Sequence, residues 1–140
     1  MLVLLPMTVR ITLEQPTWSN PLEHPNQMSP CYEITRSARS GEFYFHLKAS
    51  NGEIILRSEG YTKKASAVNG IESVKKNSPL ENRYERKVAK NGELYFNLRA
   101  KNRQVIGTSE TYKTEASREH GIASVKKSGP GAKINDLTTV

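Results

Sequence analysis

From Phe43 to Ala49 the chain alternates strictly: Phe43, Phe45, Leu47 and Ala49 fall on one side, Glu42, Tyr44, His46 and Lys48 on the other. That period of two predicts a strand with one buried face. The alternation recurs at Leu94, Phe96, Leu98 and Ala100. It belongs to a longer internal repeat. Gly41–Pro79 aligns with Gly92–Pro130 at a constant offset of 51 without a gap, and about half of the aligned positions are identical, far above chance.

Each copy reads as three strands and a helix. The first strand is Tyr32–Arg36, or Tyr84–Val88 in the second copy, corresponding once one residue is skipped. Ser40-Gly41 and Asn91-Gly92 mark the turns that follow; the Asn-Gly pair predicts a two-residue hairpin. Asn51-Gly52 predicts a second such hairpin, which leads to Glu53–Arg57. In a two-residue register Ala49 faces Ile54 and Leu47 faces Leu56, which turns Ile55 and Ile106 to the polar face. The second copy has Asn102-Arg103 at this turn, and arginine suits a positive φ poorly, so a looser turn or one of another type is expected. Its third strand is Gln104–Thr108.

Helices are expected from near Lys63 and Thr114, with Thr114 as N-cap and Glu115 at the positive dipole end. Ala67, Gly70, Ile71 and Val74 form an apolar stripe, repeated by Gly121, Ile122 and Val125. The two helical glycines point to a close approach between helix and sheet. Lys75-Lys76 and Lys126-Lys127 close the helices, and Pro79 and Pro130 lie just beyond. Ala132–Leu137 suits one short final strand.

A unit of this size buries too little surface to stand alone. The expected fold is α+β: two tandem β3-α(-β) repeats, residues 31–79 and 80–140, sharing one core in one antiparallel sheet with both helices on one face. Residues 1–30 read as a disordered or extended tail, with Pro16, Pro21, Pro25 and Pro30 excluding helix and central strand. Met28 offers an alternative start that would leave residues 1–27 untranslated. The apolar run Met1–Met7 lacks the charged start and the length of a secretory signal.

The repeated signature, G-E-F-Y-F-H-L-K-A at Gly41–Ala49, S-E-G-Y at Ser58–Tyr61 and N-G-I-E-S-V-K-K at Asn69–Lys76, each with its partner 51 residues on, resembles the YegP-like family of small bacterial proteins. The resemblance covers residues 32–137 and implies two β3-α-β units joined into one sheet, with terminal strands exchanged between units. It implies no reaction, substrate or cofactor. This chain departs from the repeated pattern at Arg103, which replaces the turn glycine, at Gly107, which stands where the first copy has Leu56, and in its proline-rich tail.

Composition narrows the chemistry. The net charge is +7, from 21 Lys and Arg against 14 Asp and Glu; the tail carries −1, residues 31–79 carry +3 and residues 80–140 carry +5. No apolar run approaches the roughly 20 residues of a membrane span. Cys31 is the lone cysteine and is read as a small, partly buried thiol. His24, His46 and His120 have no ligand at helical or hairpin spacing, so neither a metal nor a cofactor is expected. Glu42 with Glu93, and Glu59 with Glu110, are repeat-related carboxylate pairs, read as structural unless Glu59 and Glu110 converge. Tyr61 and Tyr112 are read as packing residues at the helix entry.

The remaining candidate surface is the sheet face opposite the helices. It carries Tyr44, His46 and Lys48 from one copy, and Tyr95, Asn97 and Arg99 from the other. Two partner classes fit such a face. A mixed polar and apolar face fits a protein, including a second copy of the chain. Exposed tyrosines among cations fit single-stranded nucleic acid. The expectation is a non-enzymatic, cytoplasmic bacterial interaction module, with weak nucleic-acid binding as the alternative.

Overall fold

The computed structural model describes residues 29–138. The expected tail and the alternative start at Met28 lie outside the described residues. Seven strands and two helices follow in order: β1 (Cys31–Arg36), β2 (Phe43–Lys48), β3 (Ile54–Arg57), α1 (Lys64–Asn77), β4 (Tyr84–Val88), β5 (Leu94–Arg99), β6 (Val105–Thr108), α2 (Glu115–Ser128) and β7 (Lys133–Asp136). A 3-10 turn, Glu81–Arg83, leads into β4. No described helix is long and apolar enough to cross a membrane.

The strands form one sheet in the order β4-β5-β6-β3-β2-β1-β7. Apart from β7 this order is a palindrome of the repeat. The two units are therefore related by a pseudo-twofold axis between β3 and β6, where the repeat-related residues Arg57 and Thr108 pair directly. Each helix lies over the second strand of its own unit and over the third strand of the other. One contiguous core results, from Tyr32, Phe45, Leu47, Leu56, Ile71 and Val74 in the first unit to Phe96, Leu98, Ile122 and Val125 in the second. The helix stripe is buried as expected, and Thr114 caps α2 by accepting from the Ser117 N–H at 3.1 Å.

Two buried tyrosines join the units reciprocally. Tyr32 of β1 donates its hydroxyl to the carbonyl of Gly129, at the end of α2, at 2.6 Å. Tyr84 of β4 donates to the carbonyl of Ser78, at the end of α1, at 2.6 Å. Both satisfy carbonyls that a helix leaves unpaired at its C-terminus. Gly70 and Gly121 make room for Tyr61 and Tyr112: a Cβ on Gly70 would lie 2.6 Å from the Tyr61 hydroxyl. Those rings stack on Phe45 and Phe96, so the glycines answer to an aromatic pair as well as to the sheet.

Three expectations are corrected. The sheet is mixed, because β7 pairs with β1 in parallel. Hairpins force antiparallel neighbours, but β7 arrives through a helix and is free of that constraint. It is a strand of the second unit laid against the first, so an exchange of terminal strands is present on that side.

The Asn-Gly hairpins have three loop residues, not two. Gly52 and Gly92 donate to the carbonyls of Ala49 and Ala89, and the Ala49 and Ala89 N–H groups donate to Glu53 and Glu93. This is a type I turn closed by a glycine at φ 84° or 86°. The extra residue shifts the register: Leu47 still faces Leu56, but Lys48 faces Ile54, leaving Ile55 as a bulge. Ile106 is the equivalent bulge in the second unit. Both isoleucines are consequently buried in the core rather than turned to the polar face.

Arg103 does not loosen its turn. It adopts φ 73° and makes the same hydrogen bonds as Gly52 and Gly92. An L-residue held in this region costs about 1–2 kcal/mol. Arg103→Gly will therefore raise stability by about 0.5–1 kcal/mol after its own entropy is counted, read as an upward shift in the thermal melt. An unchanged or lowered melting temperature would refute this account of the turn.

Candidate functional site

The helix-free face is organised by register. Cross-strand partners share a face, so one row runs over all seven strands: Asn135, Glu33, His46, Arg57, Thr108, Asn97 and Glu85. The pseudo-twofold axis passes between Arg57 and Thr108. On either side the row repeats as His46 then Glu33, and Asn97 then Glu85.

All six candidate residues are half-buried. His46 and Lys48 gather on one carboxylate: His46 Nε2 lies 2.7 Å from Glu33 Oε1, and Lys48 Nζ lies 3.3 Å from it. Asn97 and Arg99 gather on the other: Arg99 meets Glu85 at 2.7 and 3.0 Å, and Asn97 donates to Glu85 at 3.3 Å and accepts from Thr108 at 2.8 Å. The hydrogen bond from His46 lowers the Glu33 carboxyl below its ordinary range, and that from Arg99 does the same for Glu85. Both are ionised at neutral pH, Glu33 offsetting Lys48 and Glu85 offsetting Arg99. Tyr44 lies toward one end of its strand, its hydroxyl 3.3 Å from Glu42. Tyr95 stands opposite Lys87. The candidates thus form two clusters rather than one patch.

Sequence reasoning missed the residue at the centre. Arg57 is exposed, makes no ion pair among the described residues, and shares a shallow cleft of about 450 Å³ with Thr35, Tyr44, His46 and Ser58. Its equivalent is Thr108, so a search for repeated chemistry passes over it. Glu33 and Glu85 carry a signal that was available: both stand on the outward phase of the first strand.

The other candidates settle into structural roles. Ser58 and Ser109 accept from the backbone N–H groups of Phe45 and Phe96 at 2.9 and 3.0 Å and donate to the next carbonyl, pinning the strand-to-helix passage. Glu110 borders a cleft of about 270 Å³ with Glu53, Tyr112 and His120, and Glu59 is not among its lining residues. Burial pushes the Cys31 thiol up, away from the thiolate a nucleophile needs. No group of three metal-ligating side chains is present among the described residues.

Comparison with known proteins gives a consistent picture. A family model described as a domain of unknown function, DUF1508, matches twice, at residues 38–85 and 89–136. The chain is similar to a UPF0339 protein of Acinetobacter baylyi, 60% identical over 111 residues, which are 79% of this chain and 99% of that one. It is 53% identical over 111 residues to the UPF0339 protein YegP of Escherichia coli K12, covering 79% of this chain and all of the relative. Among solved structures, it resembles the solution NMR structure of a UPF0339 protein from Shewanella oneidensis, with TM-score 0.73, 54% identity, and coverage of 79% and 92% of the two chains. The solution NMR structure of E. coli yegP gives TM-score 0.75 at 52% identity, covering 81% and 97%.

Proposed function

The chain belongs to the DUF1508 family in its tandem form, and from that premise we propose that it is a non-enzymatic interaction module of the cytoplasm whose helix-free sheet face docks a protein partner. The observation that carries this reading is the charge arrangement of the row. Glu33 and Glu85 stand among the candidate cations and are paired with them, which suits a protein surface of mixed charge and opposes a run of phosphates. Arg57, at the centre and without an ion pair among the described residues, is the anchor for an acidic side chain of the partner, with Tyr44 beside it. Arginine and tyrosine are the residue types on which interface energy concentrates. The recognition residues are Arg57, Tyr44, His46 and Lys48 on one side, and Tyr95, Asn97 and Arg99 on the other.

The test is quantitative cross-linking and capture with three chains: wild type, Arg57→Glu and, as a control on the helix side, Lys76→Glu. Captured protein that is lost with Arg57→Glu and kept with Lys76→Glu supports the reading, provided the thermal melts agree. Equal capture by all three overturns it. Saturable, salt-sensitive binding of a labelled single-stranded oligonucleotide, abolished by Tyr44→Ala and Tyr95→Ala, would replace it with nucleic-acid recognition.

A further inference from the structure

We propose a second, independent site on the helix side of the sheet: a cleft at the seam between the units that takes a small organic phosphate. The cleft, about 410 Å³, lies between the C-terminal half of α1 with the linker after it, and the β5–β6 hairpin. Its apolar lining is Leu80, 42% exposed, and Ala100. Its cations are Lys76, Arg83 and Lys101, and no carboxylate lines it. None of the three makes an ion pair among the described residues, whereas most carboxylates of the second unit are engaged elsewhere, Glu81 by Arg86 and Lys126 and Glu119 by Arg86 and Arg118. Volume, some apolar lining and a few polar groups on one cleft are what a small-ligand site requires.

One cation is held in place. Arg83 Nε donates to Asn77 Oδ1 at 2.8 Å, and Nη1 reaches Asn82 at 3.2 Å. Asn77, only 6% exposed, is fixed in turn by its amide donating to the Ser73 carbonyl at 2.8 Å and to the Ser73 hydroxyl at 3.3 Å. This chain leaves Arg83 Nη2 without a partner among the described residues. A guanidinium oriented by a buried amide, with two lysines beside it, matches the geometry and charge of a phosphate dianion better than that of a single carboxylate.

The pseudo-twofold axis supplies an internal control. The equivalent cleft, about 440 Å³, is lined by Ser124, Lys127 and Ser128 of α2 with Ala49, Ser50 and Asn51 of the other hairpin and Pro30. It has a similar size and the same helix-and-hairpin construction, but Lys127 is its lone cation: serine stands for Lys101, serine for Asn77, and Pro30 lines it in place of Arg83. Two clefts of similar volume and different charge separate a built site from a general attraction of anions to a basic protein.

The experiment is an NMR titration of the full chain with phenyl phosphate, following backbone amides. The expected result is saturable shifts at residues 73–77, 83 and 100–103, with residues 124–128 and 49–51 unmoved. Inorganic phosphate binds the same residues more weakly, because it gains nothing from Leu80 and Ala100. Lys76→Gln with Lys101→Gln weakens phenyl phosphate by roughly tenfold or more, the loss expected for charge-assisted contacts, and leaves the thermal melt in place. Equal shifts in both clefts, an affinity that survives the double substitution, benzoate binding as tightly as phenyl phosphate, or no saturation at millimolar ligand would each overturn the proposal. The Arg57→Glu variant binds phenyl phosphate like wild type, so this site and the open-face reading fail or stand separately.

Discussion

Adding Gly107→Leu to Leu56→Gly will restore part of the stability that Leu56→Gly alone removes. Leu56→Gly empties a fully buried site and is expected to cost about 4 kcal/mol, within the range for large-to-small core changes. Gly107→Leu drives a second side chain into an occupied one and is expected to cost about 2 kcal/mol or more. In the double variant the large residue comes from the other unit. A coupling of about 3 kcal/mol should make it more stable than Leu56→Gly alone. The reason lies at the axis. Arg57 and Thr108 pair directly across it, so the residues just before them approach each other diagonally on the helix side. A Cβ on Gly107 would sit 2.6 Å from Leu56 Cγ. Only one of the two equivalent positions can carry a side chain. Denaturant melts of the two singles and the double decide it; strictly additive losses would refute the shared-space account.

The same rule explains a second divergence between the copies. Ser78 and Gly129 are repeat equivalents at the ends of the two helices, and a Cβ on Gly129 would lie 2.8 Å from that of Ser78. At both places the second copy has glycine where the first has a side chain. Duplication in one chain permits this asymmetry, which two identical subunits on a true twofold axis cannot achieve. Gly107, which the sequence shows only as a departure from the first copy, is what lets two copies share one core.

Local chemistry was legible in the sequence and long-range geometry was not. The offset of 51 gave the two units, alternation gave the buried faces of β2 and β5, and the apolar stripe, with Thr114 as a cap on α2 alone, placed both helix starts within a residue. Asn-Gly identified the hairpins but not their length, because a type I turn closed by a left-handed glycine has the same signature as a two-residue turn. That one residue decided the side to which Ile55 and Ile106 point. The candidate face was found, since outward phase follows from alternation within a single strand. Its electrostatics were not. Glu33 meets His46, and Glu85 meets Arg99, only through strand pairing. The seam cleft was invisible for a stronger reason: Lys76 and Lys101 belong to different units, and only the pseudo-twofold arrangement sets α1 against the β5–β6 hairpin.

Deleting residues 132–140 will lower the melting temperature by about 10 °C, the shift expected for a loss of roughly 3 kcal/mol in a domain of this size, and will leave a chain that self-associates. β7 is short and its side chains are mostly exposed; Ile134 is 38% exposed. Its contribution comes mainly from the backbone. It completes the hydrogen bonding of β1 in parallel register from Cys31 to Ile34, and the Leu137 N–H extends the ladder to the Ile34 carbonyl at 3.0 Å. Ala132, 3% exposed, closes the core beside it, and Asp136 holds Lys64 of α1 at 2.9 Å. Without β7, β1 becomes an edge whose carbonyls and N–H groups lie beside the buried Tyr32 and Ile34. Such an edge has no proline and little charge to deter pairing with another chain. The opposite edge, β4, is protected by Glu85, Arg86 and Lys87. Ile134→Ala in the full chain separates the two contributions: it should cost under about 0.5 kcal/mol, as for an exposed substitution. A truncated chain that melts like the full one and sediments as a monomer would show that β7 is a passenger. A loss shared equally by Ile134→Ala would place its contribution in the side chain instead of the ladder.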